Sequence, residues 1–537
     1  MSQKPPSGGK AGHLWPKWKK AMILVVCSLY SFLANSALLG PSVYIGIFSA
    51  EFGVTPNEAA GLVNYSNLAF GFGSLVFVPL YHKFGRRPVM LGSLVLYCAG
   101  LLGCSLSQSF AGLMACRVLQ SFGSSVCEAL PVQLVNDIFF LHERGKRLGY
   151  YTGRSWPGLA SRGLIVGSAN LDYIVCLCLG ATGPLYAGYM LAGGLSWRLF
   201  FYVELAFALA LFILAFFFVE ETNYDRAKAN ELAAERPGNA SPQGEKPVAS
   251  DVEDSVSFEG VQPRKSFIQT LKFWGVWNHE TDFFMMMARS FTYFLVPHVL
   301  WVVTTYVHHN QTEGKLTRLV EGIYIGLGGL TFNFIFPIKI VAPPYNWPET
   351  SGGLVAIATI IGFALAVLFT SSSDRLAAHL TRGNDGIREA EMRLGVMLPA
   401  MVIAPAGLAL FGAAAELNLH WVAYFFGSGL TQFGAYFYFT FTLAYAIDSY
   451  QSNISEMLIA MNLGKQAISF GMGLNLIQWV AERGYAVMIA GVFMSLLLAN
   501  NLVLLVFMLW GKRIRAFMAR TWLASVHRGT IKEVATH

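Results

Sequence analysis

Apolar residues in this chain gather in long blocks separated by short polar breaks. The blocks fall near 21–46, 58–80, 88–107, 109–133, 175–194 and 200–219, then near 283–306, 322–342, 352–371, 394–414, 420–446, 455–480 and 485–510. A helix rises about 1.5 Å per residue, so about 20 mostly apolar residues cross a bilayer. Each block therefore predicts a membrane-spanning helix, and the chain reads as an all-α polytopic membrane protein.

The polar segments divide it. Residues 1–20 form a basic tail, and 512–537 form another. Residues 222–280 contain "RAKANELAAERPGNASPQGEKPVASDVEDSVSFEG", the composition of a disordered linker. Basic residues cluster at Lys17, Lys19 and Lys20, at Lys83, Arg86 and Arg87, at Arg144, Lys146 and Arg147, at 375–393, and at Lys512, Arg513, Arg515 and Arg520. The positive-inside rule places all of these, and both termini, in the cytoplasm. Both ends on one side require an even number of spans. Blocks 283–306 and 322–342 are therefore one seventh helix split by 307–321, giving twelve spans. The expected units are an N-terminal six-helix bundle, 21–221, and a C-terminal one, 281–511.

A second insert, 153–174, splits the fifth helix and carries two arginines and an aspartate. Both inserts accommodate in-frame splice signals. Their removal leaves "GYYTVCLCLGATGPLYAG" and "VLWVVTTYGIYIGLGG", two uninterrupted helices. We read them as retained introns; two genuine loops lining a cavity are the alternative.

Composition agrees with a membrane protein. Only 13% of residues are charged and 54% are hydrophobic, against about 25% charged in soluble domains. The net charge of +7 sits in tails and short loops beside the spans, so no nucleic-acid partner is expected. The seven cysteines fall in or beside apolar blocks without a CxxC pair, as small buried apolar residues do. No phosphate loop, metal cluster or catalytic constellation is present in the sequence, so neither an enzyme nor a cofactor is expected.

Several short motifs in order carry a family likeness. "YHKFGRRP" (81–88) resembles the loop between helices 2 and 3 of the major facilitator superfamily. "RVLQSFGSS" (117–125) resembles its fourth-helix motif, "GATGPLYAG" (180–188) its fifth-helix antiporter motif, and "WRLFFYVE" (197–204) the start of its sixth helix. "NDIFFLHERGKR", "PPYNWPE", "SSDR" and "AYAIDSY" are similar to the fungal twelve-span drug:proton antiporter-like branch. The likeness implies two six-helix bundles around a midplane cavity that rock between two openings. One departure stands out: His82 occupies the place of the family's usual aspartate. The family's latch pairs that acid with helix 11, so here it is weaker or pH-sensitive, or His82 is a tolerated solvent-facing variant.

Ionisable residues inside spans are costly and are candidates for function. Glu128 lies mid-block, one helical face on from Arg117. It either takes up and releases a proton or forms a buried structural pair. Arg117, the motif arginine, either influences proton transfer or holds a static ion pair. Lys465 is a countercharge, a repeller of cations or a snorkelling side chain. His298 lines the cavity or is a satisfied histidine beside a proline. Asn35 and Tyr30 hydrogen-bond substrate or pack between helices. Through the family, His82, Gly85, Arg86, Arg87, Asp137, Glu143 and Arg144 imply a charge network that holds one conformation closed. Gly180, Gly183, Pro184 and Gly188 permit close packing and a bend, and the likeness adds control of exchange direction.

The expected function is proton-coupled export of a small organic molecule such as a drug, toxin or secondary metabolite, by a monomer in the cell membrane. Expected partners are the substrate, protons and the lipid bilayer. Uptake of a cation, polyamine or nutrient is the rival transport reading. A non-transporting sensor, or a chain inactive because of its inserts, are the others.

Overall fold

The computed structural model describes residues 17–130, 134, 182–192, 194–221, 282–297, 299, 301, 325–367, 369–384, 389–449, 454–523 and 526–527. Both inserts and the linker lie outside these residues. Among the described residues the chain is helical throughout, with no strand. This agrees with the all-α expectation.

In the first half, α1 (Lys17–Leu39) passes through a 3₁₀ turn, Gly40–Tyr44, into α2 (Ile45–Phe52). The first span therefore runs past the expected end at 46. It is followed by α3 (Pro56–Phe84), α4 (Arg86–Leu106), α5 (Phe110–Ser124), α6 (Gly183–Ala192) and α7 (Arg198–Phe218). The second half holds α8 (Phe283–Thr292), α9 (Ile325–Val341), α10 (Val355–Val367), α11 (Thr370–Gly383) and α12 (Ala400–Leu417). It closes with α13 (Val422–Ser449), α14 (Ile454–Gly473), α15 (Leu476–Arg483) and α16 (Met494–Met518).

Two departures from the apolar blocks have plain causes. The block 455–480 breaks after Gly473, and α15 begins at Leu476. The helix α11 lies in a polar stretch that block-finding passes over, because it is not apolar enough to register.

The turns are cut short by capping. Thr55 Oγ1 accepts from the Glu58 amide at 3.2 Å while the Glu58 carboxylate accepts from the Thr55 amide at 2.8 Å, a capping box that starts α3. Ser109 caps α5 by accepting from the Gly112 amide at 3.2 Å.

Seven described helices are long and apolar enough to cross a membrane: Trp18–Phe52, Pro56–Phe84, Arg86–Leu106, Arg198–Phe218, Glu349–Ala366, Ala390–Leu417 and Ala486–Met518. Polarity is distributed as in a lipid-solvated protein. Phe207, Val402, Leu502 and Leu509 are exposed, while Asn64, Arg117, Gln120 and Glu204 are fully buried. A water-soluble surface would not carry such apolar side chains in number.

Helices pack through small residues. A Cβ on Gly100 would meet Gln120 backbone at 2.4 Å, and one on Gly407 would meet the Thr431 amide at 2.6 Å. The two halves meet along α3 and α14, where Tyr65 and Phe470 rings lie 5.0 Å apart. One end of the bundle, the basal face, gathers the start of α1, the turn between α3 and α4, and the end of α16. The far face gathers the turns at 53–55, 194–197 and 342–349.

Candidate functional site

Two polar clusters lie inside the spans. In the first, Lys465 of α14 donates to both carboxylate oxygens of Glu128, at 2.6 and 2.7 Å. The two side chains come from different halves of the molecule, and each keeps under a fifth of its surface exposed. The amine does not snorkel; it ends on the carboxylate. An ion pair of this kind holds two bodies together only while both partners are charged.

The second cluster surrounds Arg117, which is wholly buried. Its Nη1 donates to the Ala37 carbonyl at 2.6 Å and to Gln120 Oε1 at 2.9 Å, and its Nη2 donates to the Leu38 carbonyl at 2.9 Å. No carboxylate is among these partners. Arg117 thus ties α5 to the end of α1, where it supplies donors to two carbonyl groups of the last helical turn. It does not share a cluster with Glu128, which stands eleven positions further on, about three turns along the helix at about 1.5 Å per residue. A shared helical face does not close that axial separation.

Near Arg117 lies Glu204 of α7, also wholly buried, which the sequence reading did not single out. Ser36 Oγ of α1 donates to its Oε1 at 2.6 Å, and the Tyr186 hydroxyl of α6 donates to the same oxygen. The signal that finds Glu204 is the one that found Glu128: an acid inside an apolar block, 200–219.

The remaining candidates scatter. Tyr30 OH lies 3.0 Å from Ser93 Oγ and donates to the Gly123 carbonyl at 3.1 Å, tying α1 to α4 and α5. Asn35 donates to the Ser31 carbonyl of its own helix at 2.8 Å. His298, Asp137, Glu143, Arg144 and Gly180 lie outside the described residues.

At the basal face, Gly85 has φ +99 and ψ 163, a backbone region that favours glycine. This turn aims the Arg86 and Arg87 amides at the Glu221 carboxylate, each at 3.1 Å. A Cβ on Gly85 would sit 2.4 Å from Glu221 Oε2. A carboxylate at the first amides of α4 is stabilised by the helix dipole. Arg87 turns inward, donates to the Phe216 carbonyl at 2.7 Å and covers the Phe216 ring. Beside it Lys19 pairs with Glu220. His82 is part-buried, with Nε2 2.9 Å from Ser455 Oγ of α14. The solvent-facing reading of His82 is therefore replaced by a contact with the eleventh helix.

At the far face, the fifth-helix glycines serve backbone approach. A Cβ on Gly183 would lie 2.6 Å from the Ser36 carbonyl, and one on Gly188 would lie 2.8 Å from the Thr350 carbonyl of the other half. From the opposite side, a Cβ on Gly353 would lie 2.2 Å from the Pro184 carbonyl. Trp197 and Arg198 close the same face by donating to Glu51 at 2.6 and 3.2 Å.

A sequence model described as Major Facilitator Superfamily matches residues 24–474. An uncharacterized MFS-type transporter of Schizosaccharomyces pombe is 22% identical, over 95% of this chain and 86% of its own. The efflux pump FUB11 of Gibberella moniliformis is 23% identical, over 83% of this chain and 65% of its own. The crystal structure of a D-xylose-proton symporter is similar in fold, with a TM-score of 0.51 at 12% identity, over 91% of this chain and 96% of that one.

Proposed function

This chain belongs to the major facilitator superfamily, and we propose that it is a proton-coupled exporter of a small organic molecule. It sits in the membrane with the basal face, and both termini, toward the cytoplasm. The observation that carries this reading is the Glu128–Lys465 pair between the halves. A proton reaching Glu128 from one side cancels its charge and releases Lys465, so the halves rock apart. Loss of the proton to the other side restores the pair. Each cycle thereby moves a proton one way and substrate the other.

Two further features support it. Pro184 and Gly188, on the motif that resembles the antiporter signature, lie where the halves touch at the far face. Lys465 and Arg117 balance Glu128 and Glu204, so these four groups carry no net negative charge, which weighs against uptake of a polyamine or other cation. A relative named an efflux pump points the same way.

The experiment is accumulation of a panel of apolar and cationic dyes in cells lacking their own exporters, with and without a protonophore. The chain as written is compared with one lacking 153–174 and 307–321, and with Glu128→Gln. We expect lowered accumulation that the protonophore abolishes, and loss of uphill export with passive exchange retained in E128Q. Export that ignores the protonophore sinks proton coupling. Raised accumulation sinks export. Activity confined to the shortened chain supports the intron reading of the two inserts.

A further inference from the structure

Glu204 plays no part in the pair that joins the halves, yet its surroundings are specific. Ser36 of α1 and Tyr186 of α6 both donate to Oε1. Oε2 is buried and has no hydrogen-bond partner among the described residues. A carboxylate whose second oxygen is desolvated and unpartnered is costly, whereas a carboxylic acid carries its proton on that oxygen. The titratable and charged groups acting on it come from each neighbouring helix: Tyr186 of α6, Tyr97 of α4 and Arg117 of α5. Arg117 is the cation of this set, and its two Nη groups donate to α1 carbonyls and Gln120, not to Glu204.

We propose that Glu204 is a second proton-binding site, and that its proton governs how α6 seats against the other half at the far face. The route is one helical turn long. Tyr186 stacks on Phe200 of α7 with ring centroids 5.3 Å apart, which holds its hydroxyl at Glu204. The next residue, Ala187, accepts from the Tyr44 hydroxyl at 2.9 Å, and Gly188 then meets Thr350 of the other half. With the proton on, both hydroxyls bond one neutral acid. With the proton off, the new charge draws Tyr186 and Ser36 inward and leaves Oε2 seeking a donor. Because α6 rests on α1 backbone at Gly183, the pull at Tyr186 is passed on to Gly188 and the seal. The consequence for transport rests on the exporter reading; the proton site itself does not.

The test uses the full chain in lipid nanodiscs, without substrate. Infrared difference spectra across a pH titration read the protonated carboxyl, and spin labels at positions 189 and 357 read the distance between α6 and α10. We expect the wild-type chain to lose a protonated-carboxyl band as pH rises, with the label distance changing over the same range. Glu204→Gln, a neutral mimic, should lack the band and hold the low-pH distance at every pH. Tyr186→Phe leaves the acid in place and should keep the band but shift it; this variant carries the test where E204Q folds poorly. E204Q spectra that keep every protonated-carboxyl band of the wild type, Y186F spectra in which none shifts, or a pH-dependent distance unchanged in E204Q overturns the inference. A chain that titrates at Glu204 but moves no protons with substrate retains this site and loses the exporter reading. Proton-coupled export with no Glu204 band does the reverse.

Discussion

His82 Nε2 and Ser455 Oγ lie 2.9 Å apart, so the last turn of α3 touches the first turn of α14 across the two halves. A net hydrogen bond is worth about 0.5–1.5 kcal/mol, which is about a 2- to 12-fold change in an equilibrium. Ser455→Ala should shift the basal face toward its open form by that factor. Labelling rates of a reporter cysteine buried at this face measure it. Rates equal to wild type would mean the contact does not hold the face shut.

The turn at Gly85 should be intolerant in a graded way. Gly85→Ala meets both the unfavourable φ of +99 and the Glu221 oxygen 2.4 Å from its Cβ. Backbone strain of this kind costs about 1–3 kcal/mol. Glu221→Gln keeps the shape and loses the charge, so it should cost less. Thermal unfolding in detergent should rank wild type, E221Q and G85A in falling order, and G85A as stable as wild type would refute the strain.

Breaking the Glu128–Lys465 pair should be worse by halves than as a whole. Lys465→Met strands a carboxylate and Glu128→Gln strands an amine, while the double variant strands neither. A double-mutant cycle on unfolding stability should give the double variant a smaller loss than the sum of the singles. Additive losses would mean that the two groups are not coupled.

The C-terminal segment should be released by acid. His527 lies against α8: its ring stacks on Tyr293 with centroids 4.1 Å apart, and Nε2 is 2.8 Å from Thr292 Oγ1. Burial, and then the nearby Arg289, hold its imidazole below the ordinary histidine range. The folded state thus binds the proton less readily than the unfolded one. Stability from this contact is complete above the ordinary imidazole value and is lost as pH falls through the lowered folded one. Hydrogen exchange at 522–527 should rise on acidification. His527→Phe keeps the stack without the titration, and its exchange should stay flat.

The spans were legible because a bilayer demands one long apolar block per crossing, and the chain supplies them plainly. What the blocks could not show was interruption and polar helix: α11 is too polar to register, and the break before α15 falls inside an apolar run. The site was legible in part. An acid within lipid-length apolar sequence announces itself at Glu128, and a lysine at 465 likewise. Their pairing needed the three-dimensional arrangement, since 337 positions separate them. Glu204 offered the same signal and was passed over as the last letter of a motif. Glu221 offered none, because an acid at the end of a span reads as an ordinary loop charge until Gly85 is seen to turn two amides toward it.

The far-face seal also determines which mutations can reveal it. Thr350 and Pro184 carbonyls meet the bare α-carbons of Gly188 and Gly353, so main chain lies against main chain. Trimming a neighbouring side chain removes nothing from that contact, and a scan built on truncation would read the region as silent. Adding a single methyl at position 188 or 353 is what it cannot absorb. Tolerance here is one-sided: variation that subtracts atoms passes unseen, while variation that adds them pries the halves apart. A survey that enlarges residues one at a time would therefore map this seal.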